Sequence, residues 1–383
     1  MREVVIVGAA RCAVGRAGKG VLRNMRPDEM AAAVLKGLIQ KTGLDPAQLD
    51  DIRLGCAMPE AEQGLNVARI ASFLAKIPET VPACTVNRFC GSGLESIVNA
   101  AYQIAYGDAD LVIAGGVESM SKIPMTGHTP RPNPLLAEDY PEAYTPMGIT
   151  AENVVEKYKI FREAQDQFAY ESHMKATKAI REGRFKEEIV PLEVRANGKN
   201  FLHEIDETVR AETTLEALAA LKPSFKEGGT VTPGNSSPLT DGSSAVLLAS
   251  KQKARSLGLK PMARFVSSGV SGVAPEIMGI GPVYAIPKAL QRAGLTLGKI
   301  DLIELNEAFA GQALAVMQEL KLPIKKLNVN GGAIALGHAL GSSGARLTTT
   351  LAYEMARRKA KFGLVTMCIG GGQGMAAIFE RAS

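Results

Sequence analysis

Two segments far apart in this chain read almost alike. Gly43-Leu44-Asp45-Pro46-Ala47-Gln48-Leu49-Asp50-Asp51-Ile52-Arg53-Leu54 lines up without a gap on Gly294-Leu295-Thr296-Leu297-Gly298-Lys299-Ile300-Asp301-Leu302-Ile303-Glu304-Leu305. Each follows a helical pattern and ends in a strand-like alternation. The match continues, since Thr85-Val86-Asn87 and Asn328-Val329-Asn330 each precede a glycine-bearing helix start. The strand pattern Leu111–Gly116 likewise corresponds to Leu364–Ile369, which runs into Gly370-Gly371-Gly372. A duplicated α/β unit is the simplest account. Length agrees, because 383 residues exceed the roughly 250–300 that one hydrophobic core supports. Helix and strand patterns alternate within each unit, which predicts mostly parallel sheets covered by helices, with right-handed crossovers.

The first unit is expected over 1–118 plus about 250–265, and the second over 266–383. Between them, 119–249 is rich in proline and charge, with a polar stretch from Thr129 to Tyr144 and a helical pattern from Arg162 to Glu187. It reads as an inserted, more irregular loop domain able to form a substrate-facing lid. The apolar run Val4–Val7 is too short for a signal peptide, and runs such as Leu111–Val117 fall far short of the roughly 20 residues that span a bilayer. A cytoplasmic protein without a transmembrane segment is expected. The net charge of +5 comes from interleaved acids and bases, which argues against a nucleic-acid partner and mildly favours an anionic substrate. The five cysteines are odd in number, widely spaced and without a Cys-x-x-Cys pair, so neither a disulfide scaffold nor a metal site is indicated.

One of those thiols has a setting suited to chemistry. Cys90 lies in Asn87-Arg88-Phe89-Cys90-Gly91-Ser92-Gly93-Leu94, just ahead of a helical pattern, and Ser92 with Glu95 fits a capping box. A helix start next to a thiol favours its thiolate, and the flanking glycines let a carbonyl approach. A small buried hydrophobe explains the same residue equally well. Of the four histidines, only His338 stands in a glycine-rich loop, Asn330 to Arg346, which is the second unit's counterpart of the Cys90 turn. Pseudo-symmetry would bring both loops to one crevice, where an imidazole can deprotonate a thiol. A loop histidine bonded to backbone is the plainer alternative. Cys368 closes the last repeated strand before Gly370-Gly371-Gly372-Gln373-Gly374, and Asn306 follows the second unit's strand Asp301–Leu305 with an amide able to serve an oxyanion. Alone, the first reads as core and the second as a turn residue.

Taken in order, these stretches resemble the thiolase family over nearly the whole chain. The matching segments are Val86–Leu94, Ala114–Ser121, Met147–Asn153, Thr230–Gly242, Gly279–Pro282, Asn306–Ala310, Asn330–Arg346 and Cys368–Gly374. The resemblance implies a thiolase fold of two pseudo-symmetric α/β halves in five layers, α-β-α-β-α, with an inserted loop domain, assembling as a homodimer or homotetramer. It implies thiolysis of 3-ketoacyl-CoA in fatty acid β-oxidation, with coenzyme A as substrate and no permanently bound cofactor. Cys90 would be the acylated nucleophile, His338 its activator and Cys368 the acid/base. Asn306, through a water, would hold the thioester oxygen together with His338, and the N–H groups of Cys90 and Gly370 would form a second oxyanion site. Met147, Ser237, Ala308 and Phe309 match positions that contact coenzyme A in relatives. A partner subunit carrying preceding oxidation steps is compatible with this.

Three departures stand out. Ala339 replaces the proline that usually follows the histidine, Pro146 stands near a histidine of short-chain biosynthetic members, and Arg11-Cys12-Ala13 replaces Arg-Thr-Pro. With Asn87–Cys90 and Ser236–Asp241, the pattern leans to the degradative class. The rivals are an acetoacetyl-CoA thiolase serving biosynthesis, a ketoacyl-carrier-protein synthase, which needs a second active-site histidine, and a non-catalytic acyl-CoA-binding paralogue.

Overall fold

The computed structural model describes residues 1–382 apart from Asn197. The first unit runs β1 (Val4–Arg11), β2 (Gly15–Arg16), α1 (Pro27–Thr42), β3 (Asp51–Gly55), α2 (Val67–Leu74), β4 (Ala83–Val86), α3 (Ser92–Tyr106) and β5 (Leu111–Ser119). The insertion carries α4 (Pro134–Asp139), α5 (Met147–Tyr158), α6 (Arg162–Arg181), the hairpin β6 (Leu192–Ala196) and β7 (Lys199–His203), and α7 (Leu215–Ala219). The chain returns as β8 (Thr240–Ser250) and α8 (Lys251–Ser256). The second unit follows as β9 (Ala263–Gly272), α9 (Gly281–Ala293), β10 (Leu302–Leu305), α10 (Ala310–Leu320), α11 (Ala333–Leu336), α12 (Leu340–Arg358), β11 (Phe362–Ile369) and β12 (Gln373–Arg381).

The repeat is visible residue by residue. α1 ends at Gly43 with φ 65° and α9 at Gly294 with φ 64°, both capped by backbone N–H groups turned back onto the last helical carbonyls. Each cap leads through a single 3₁₀ turn, Pro46–Gln48 or Leu297–Lys299, into β3 or β10. The strand order β4-β3-β5-β8-β1 in the first unit is repeated as β10-β11-β12-β9 in the second, where an isolated parallel bridge from Ile303 to Leu327 stands in for β4. The units join edge to edge through Val5 opposite Arg264 and Ile6 opposite Ala263, giving one ten-stranded sheet.

Five layers result. Val34, Leu35 and Leu38 of α1 and Val67 and Ala71 of α2 cover one face of the first sheet. Ile97, Ala101 and Ile104 of α3 and Leu347, Leu351 and Met355 of α12 fill the space between the two halves of that sheet, against Val112, Val246, Val365 and Ala377. α9 and α10 cover the outer face of the second sheet through Ile286, Ala289, Ala313 and Val316. Glycines let the middle layer close. A Cβ at Gly344 would lie 2.3 Å from the backbone nitrogen of Leu94, and one at Gly93 would lie 2.7 Å from the carbonyl oxygen of Gly341. Backbone therefore meets backbone where α3 and α12 begin.

Several expectations need correction. The sheets are mixed rather than mostly parallel: β3 pairs in parallel with β4 and β5, and β10 with β11, while β8 and β12 run antiparallel to both their neighbours. β12 is antiparallel because only the short turn after Ile369 separates it from β11. Thr240–Ser250, assigned to the insertion, is a central strand buried along its whole length, so the inserted elements end before it. Ala263 already belongs to β9, which pairs along β12. The helix expected from Arg162 to Glu187 stops at Arg181, and Gly183 turns the chain at φ 70°.

Candidate active site

Cys90 occupies a 3₁₀ turn, Phe89–Gly91, immediately before α3. The helix begins where the sequence indicated, but the capping box does not form. Ser92 is the first helical residue, and its hydroxyl accepts from the Arg88 N–H at 2.9 Å while donating to the Phe89 carbonyl at 2.6 Å. Glu95 is drawn instead to the Arg88 guanidinium at 2.9 Å. These bonds brace the turn, in which Phe89 holds φ at 44°. The Cys90 thiol is buried among Ala57, Met120 and Leu340, and the N–H groups of Gly370 and of Cys90 itself face the sulfur. Burial pushes the thiol up to about 11, and the two N–H groups oppose this only in part. The helix start alone therefore does not ionise it.

His338 is fully buried at the end of the glycine loop. Its N–H donates to Thr240 Oγ1 at 3.1 Å, and Leu239 pairs with it as an isolated bridge. Ser343 Oγ lies 2.6 Å from Nδ1, and the same hydroxyl donates to the Ala339 carbonyl at 2.9 Å. The amide donor Nδ2 of Asn306 faces Nε2, so Nε2 is the accepting, basic nitrogen and Nδ1 carries the proton that Ser343 accepts. Burial, then the nearby Arg346 charge, lowers His338 to about 3, so the imidazole is neutral at rest. Asn306 Nδ2 lies 3.3 Å from Nε2, while its Oδ1 has no hydrogen-bond partner. The Asn306 backbone N–H is anchored on the Thr366 carbonyl at 2.9 Å. Asn306 thus lies within direct reach of His338. Ala339 holds φ at −74°, close to the angle a proline would impose, so the alanine keeps here the backbone that a proline would fix.

Cys368 is buried on β11, and burial followed by the neighbouring Cys90 sulfur raises its thiol well above the ordinary range. The two sulfurs are brought together by packing, since a Cβ at Gly91 would meet Ile369 Cδ1 at 2.5 Å. Gly370 opens the turn to β12, in which Gly371 and Gly372 hold φ at 76° and 80°. Cys368 shares an apolar cluster with Ala308, Phe309, Val231 and Met278, against which Met147 packs from the start of α5. The Ser237 N–H donates to the Ala308 carbonyl at 3.0 Å, and Phe225 packs edge-on to Phe309 at 6.1 Å. All nine expected residues therefore fall in one connected region.

Sequence reasoning missed the supports. Glu118 on β5 is buried and accepts from the N–H groups of Ala57 at 2.7 Å, Met58 at 3.2 Å and Gly341 at 2.8 Å, tying the first unit's loop to the start of α12. Ser343 and Thr240 orient His338. Glu118 lies within a segment already marked by resemblance, and Ser343 stands five residues past His338. Only folding shows what each one touches.

The model of the thiolase N-terminal domain matches residues 4–252, and that of the thiolase C-terminal domain matches 259–381. The chain belongs to the thiolase family. It is 54% identical to a 3-ketoacyl-CoA thiolase of Bacillus subtilis (strain 168), over 99% of this chain and 100% of that protein. Human mitochondrial 3-ketoacyl-CoA thiolase superposes with a TM-score of 0.93 at 40% identity, covering 100% of this chain and 99% of that one. The acetyl-CoA acetyltransferase of Bacillus anthracis superposes at 0.92 with 42% identity, over 100% and 99% of the two chains. The fold is the thiolase fold, and the chain is an acyltransferase of that family.

Proposed function

We propose that this protein cleaves 3-ketoacyl-CoA with free coenzyme A, carrying the shortened acyl group on Cys90. The observation that supports this best is that the buried Cys90 thiol lies beside the Cys368 sulfur and the Gly370 N–H, with the neutral His338 imidazole beside Asn306 on the adjoining loops. His338 Nε2 takes the Cys90 proton, and the thiolate attacks the 3-keto carbon. The oxyanion so formed lies beside the N–H groups that face the sulfur. The bond between C2 and C3 then breaks, C2 takes the Cys368 proton, and acetyl-CoA leaves. Incoming coenzyme A gives its thiol proton to the Cys368 thiolate and attacks the acyl-Cys90 carbonyl. The thioester oxygen of the departing acetyl-CoA enolate is held by Asn306, through a water, and by protonated His338 Nε2, while the acyl-Cys90 oxygen stays beside the Cys90 and Gly370 N–H groups. Cys90 then leaves as thiolate and regains its proton from His338. Ping-pong kinetics follow.

Met147, Ser237, Ala308 and Phe309 are read as the wall along which the coenzyme A arm lies, beneath a lid formed by the insertion. Thiolysis in β-oxidation is favoured over acetoacetyl-CoA synthesis by the name of the Bacillus subtilis relative, although the Bacillus anthracis neighbour carries the other name. A cytoplasmic homodimer or homotetramer, with or without a subunit for the preceding oxidation steps, fits this chemistry. Initial rates of thiolysis on 3-ketoacyl-CoAs of increasing length test the reading. Turnover is expected on medium and long chains, and activity confined to acetoacetyl-CoA sinks the degradative assignment. Cys90→Ala is expected to lose at least about 10³-fold in kcat, the scale on which removal of a nucleophile is felt. Unchanged cleavage by that variant would leave only acyl-CoA binding as the function.

A further inference from the structure

A cavity of about 170 Å³ opens where the end of α6 meets the end of α12, on residues that the acyl-transfer scheme does not use. That is room for a phosphoryl group with bound water. Four cations line it: Lys175 and Lys178 of α6, Arg184 just past that helix, and Arg358 in the last turn of α12. Lys175 and Lys178 stand three residues apart and so share one face of the helix. The carboxylates within reach do not balance this charge. Glu354, with a side chain only 1% exposed, is shared by Arg184 at 3.2 Å, Arg357 and Arg358. Glu182 takes Arg184 at 2.6 Å and lies 3.8 Å from Lys178. Five cations thus meet two carboxylates, an excess of three. The two helix C-termini offset about half a charge each, which leaves roughly two positive charges unmatched. Donors are spare as well, since an ammonium group carries three N–H groups. Lys175 Nζ makes one long bond, 3.3 Å to the Leu327 carbonyl, and among the described residues Lys178 Nζ makes none.

We propose that this cavity binds a phosphoryl dianion, either free phosphate or a phosphate monoester. Two negative charges match the excess. A tetrahedral group also spreads its oxygens toward several donors at once, the two ammonium groups of α6 on one side and the Arg358 guanidinium on the other. Sulfate has the same charge and shape, whereas chloride brings a single charge and a single acceptor atom. A bound dianion ties α6, in the insertion, to α12, in the second unit. The proposal does not depend on the reaction assigned to Cys90, because binding is read without acyl substrate.

Isothermal titration of the full-length protein with inorganic phosphate, at about pH 8 and an ionic strength held constant with sodium chloride, tests this. One phosphate per chain is expected to bind, with a Kd in the millimolar range or below, and sulfate should compete. The double variant Lys175→Gln/Lys178→Gln should weaken binding at least about tenfold, because both charge-assisted donors of α6 are gone. Its kcat for thiolysis should stay within about twofold, since neither lysine belongs to the site of acyl transfer. If the double variant does not fold, Lys178→Glu, at a side chain 71% exposed, is expected to show the same loss of binding. Glycerol 3-phosphate in place of phosphate separates the two sources. Tighter binding identifies a monoester, and equal or weaker binding identifies the free ion. The proposal is overturned if neither compound binds saturably, if binding survives unchanged in the variants, or if chloride competes as strongly as sulfate at equal ionic strength.

Discussion

Cys90 and His338 are each driven toward the neutral form by burial, the thiol up to about 11 and the imidazole down to about 3. A thiol raised in this way loses its proton only as pH climbs through the alkaline range. Alkylation of Cys90 by iodoacetamide in the free protein should therefore be slow at pH 7 and rise about tenfold per pH unit up to pH 9, since only the thiolate reacts. Peptide mass analysis separates Cys90 from half-buried Cys84. A plateau already reached at pH 7 would show a standing thiolate–imidazolium pair instead. The candidates Cys90, His338, Cys368 and Asn306 were legible because they sit at strand or helix ends, two of them next to a glycine, in segments that resemble thiolases. Ser343 and Thr240 were not legible, because a hydroxyl has no distinctive pattern until the fold turns it toward a partner.

At the scale of elements, the crossing of α3 and α12 sets the distance between the Cys90 turn and the His338 loop. Its contact is backbone on backbone at Gly93, Gly341 and Gly344. Gly344→Ala would set a methyl 2.3 Å from the Leu94 nitrogen, so the helices must part. A loss of stability of about 1–3 kcal/mol is expected, as for overpacked cores, together with a fall in kcat, because the Cys90 turn and the His338 loop both ride on these helices. Urea unfolding and turnover on the same preparation check this, and wild-type values for both would disprove the tight crossing. The edges of the insertion were misread for a reason of the same kind. β8 is buried on both faces, so it lacks the polar alternation that marks a half-buried strand, and its opening Thr240-Asp241-Gly242-Ser243-Ser244 reads as loop.

In the molecule as a whole, the insertion is fastened to the first unit through a buried charge. Arg11 leaves the end of β1 and pairs with Glu188 and Asp206 of the insertion, while Glu188 also accepts from Thr350 of α12 at 3.0 Å. The sequence departure at Arg11-Cys12-Ala13 thus keeps the group that docks the insertion. Arg11→Met would strand two buried carboxylates and should cost about 3–5 kcal/mol. Limited proteolysis is expected to cut first within the insertion of that variant. An unchanged unfolding midpoint would mean that apolar packing alone holds the insertion.

The sequence by itself determined the duplication, the two cores and the candidates Cys90, His338, Cys368 and Asn306, because glycines, periodicity and repeated segments are local and survive as text. Only the tertiary structure decided the mixed strand directions, the end of the insertion, the protonation of Cys90 and the Ser343–His338–Asn306 chain. Each of these depends on which groups are buried together, and burial is a property of residues distant in the chain that the fold brings into contact.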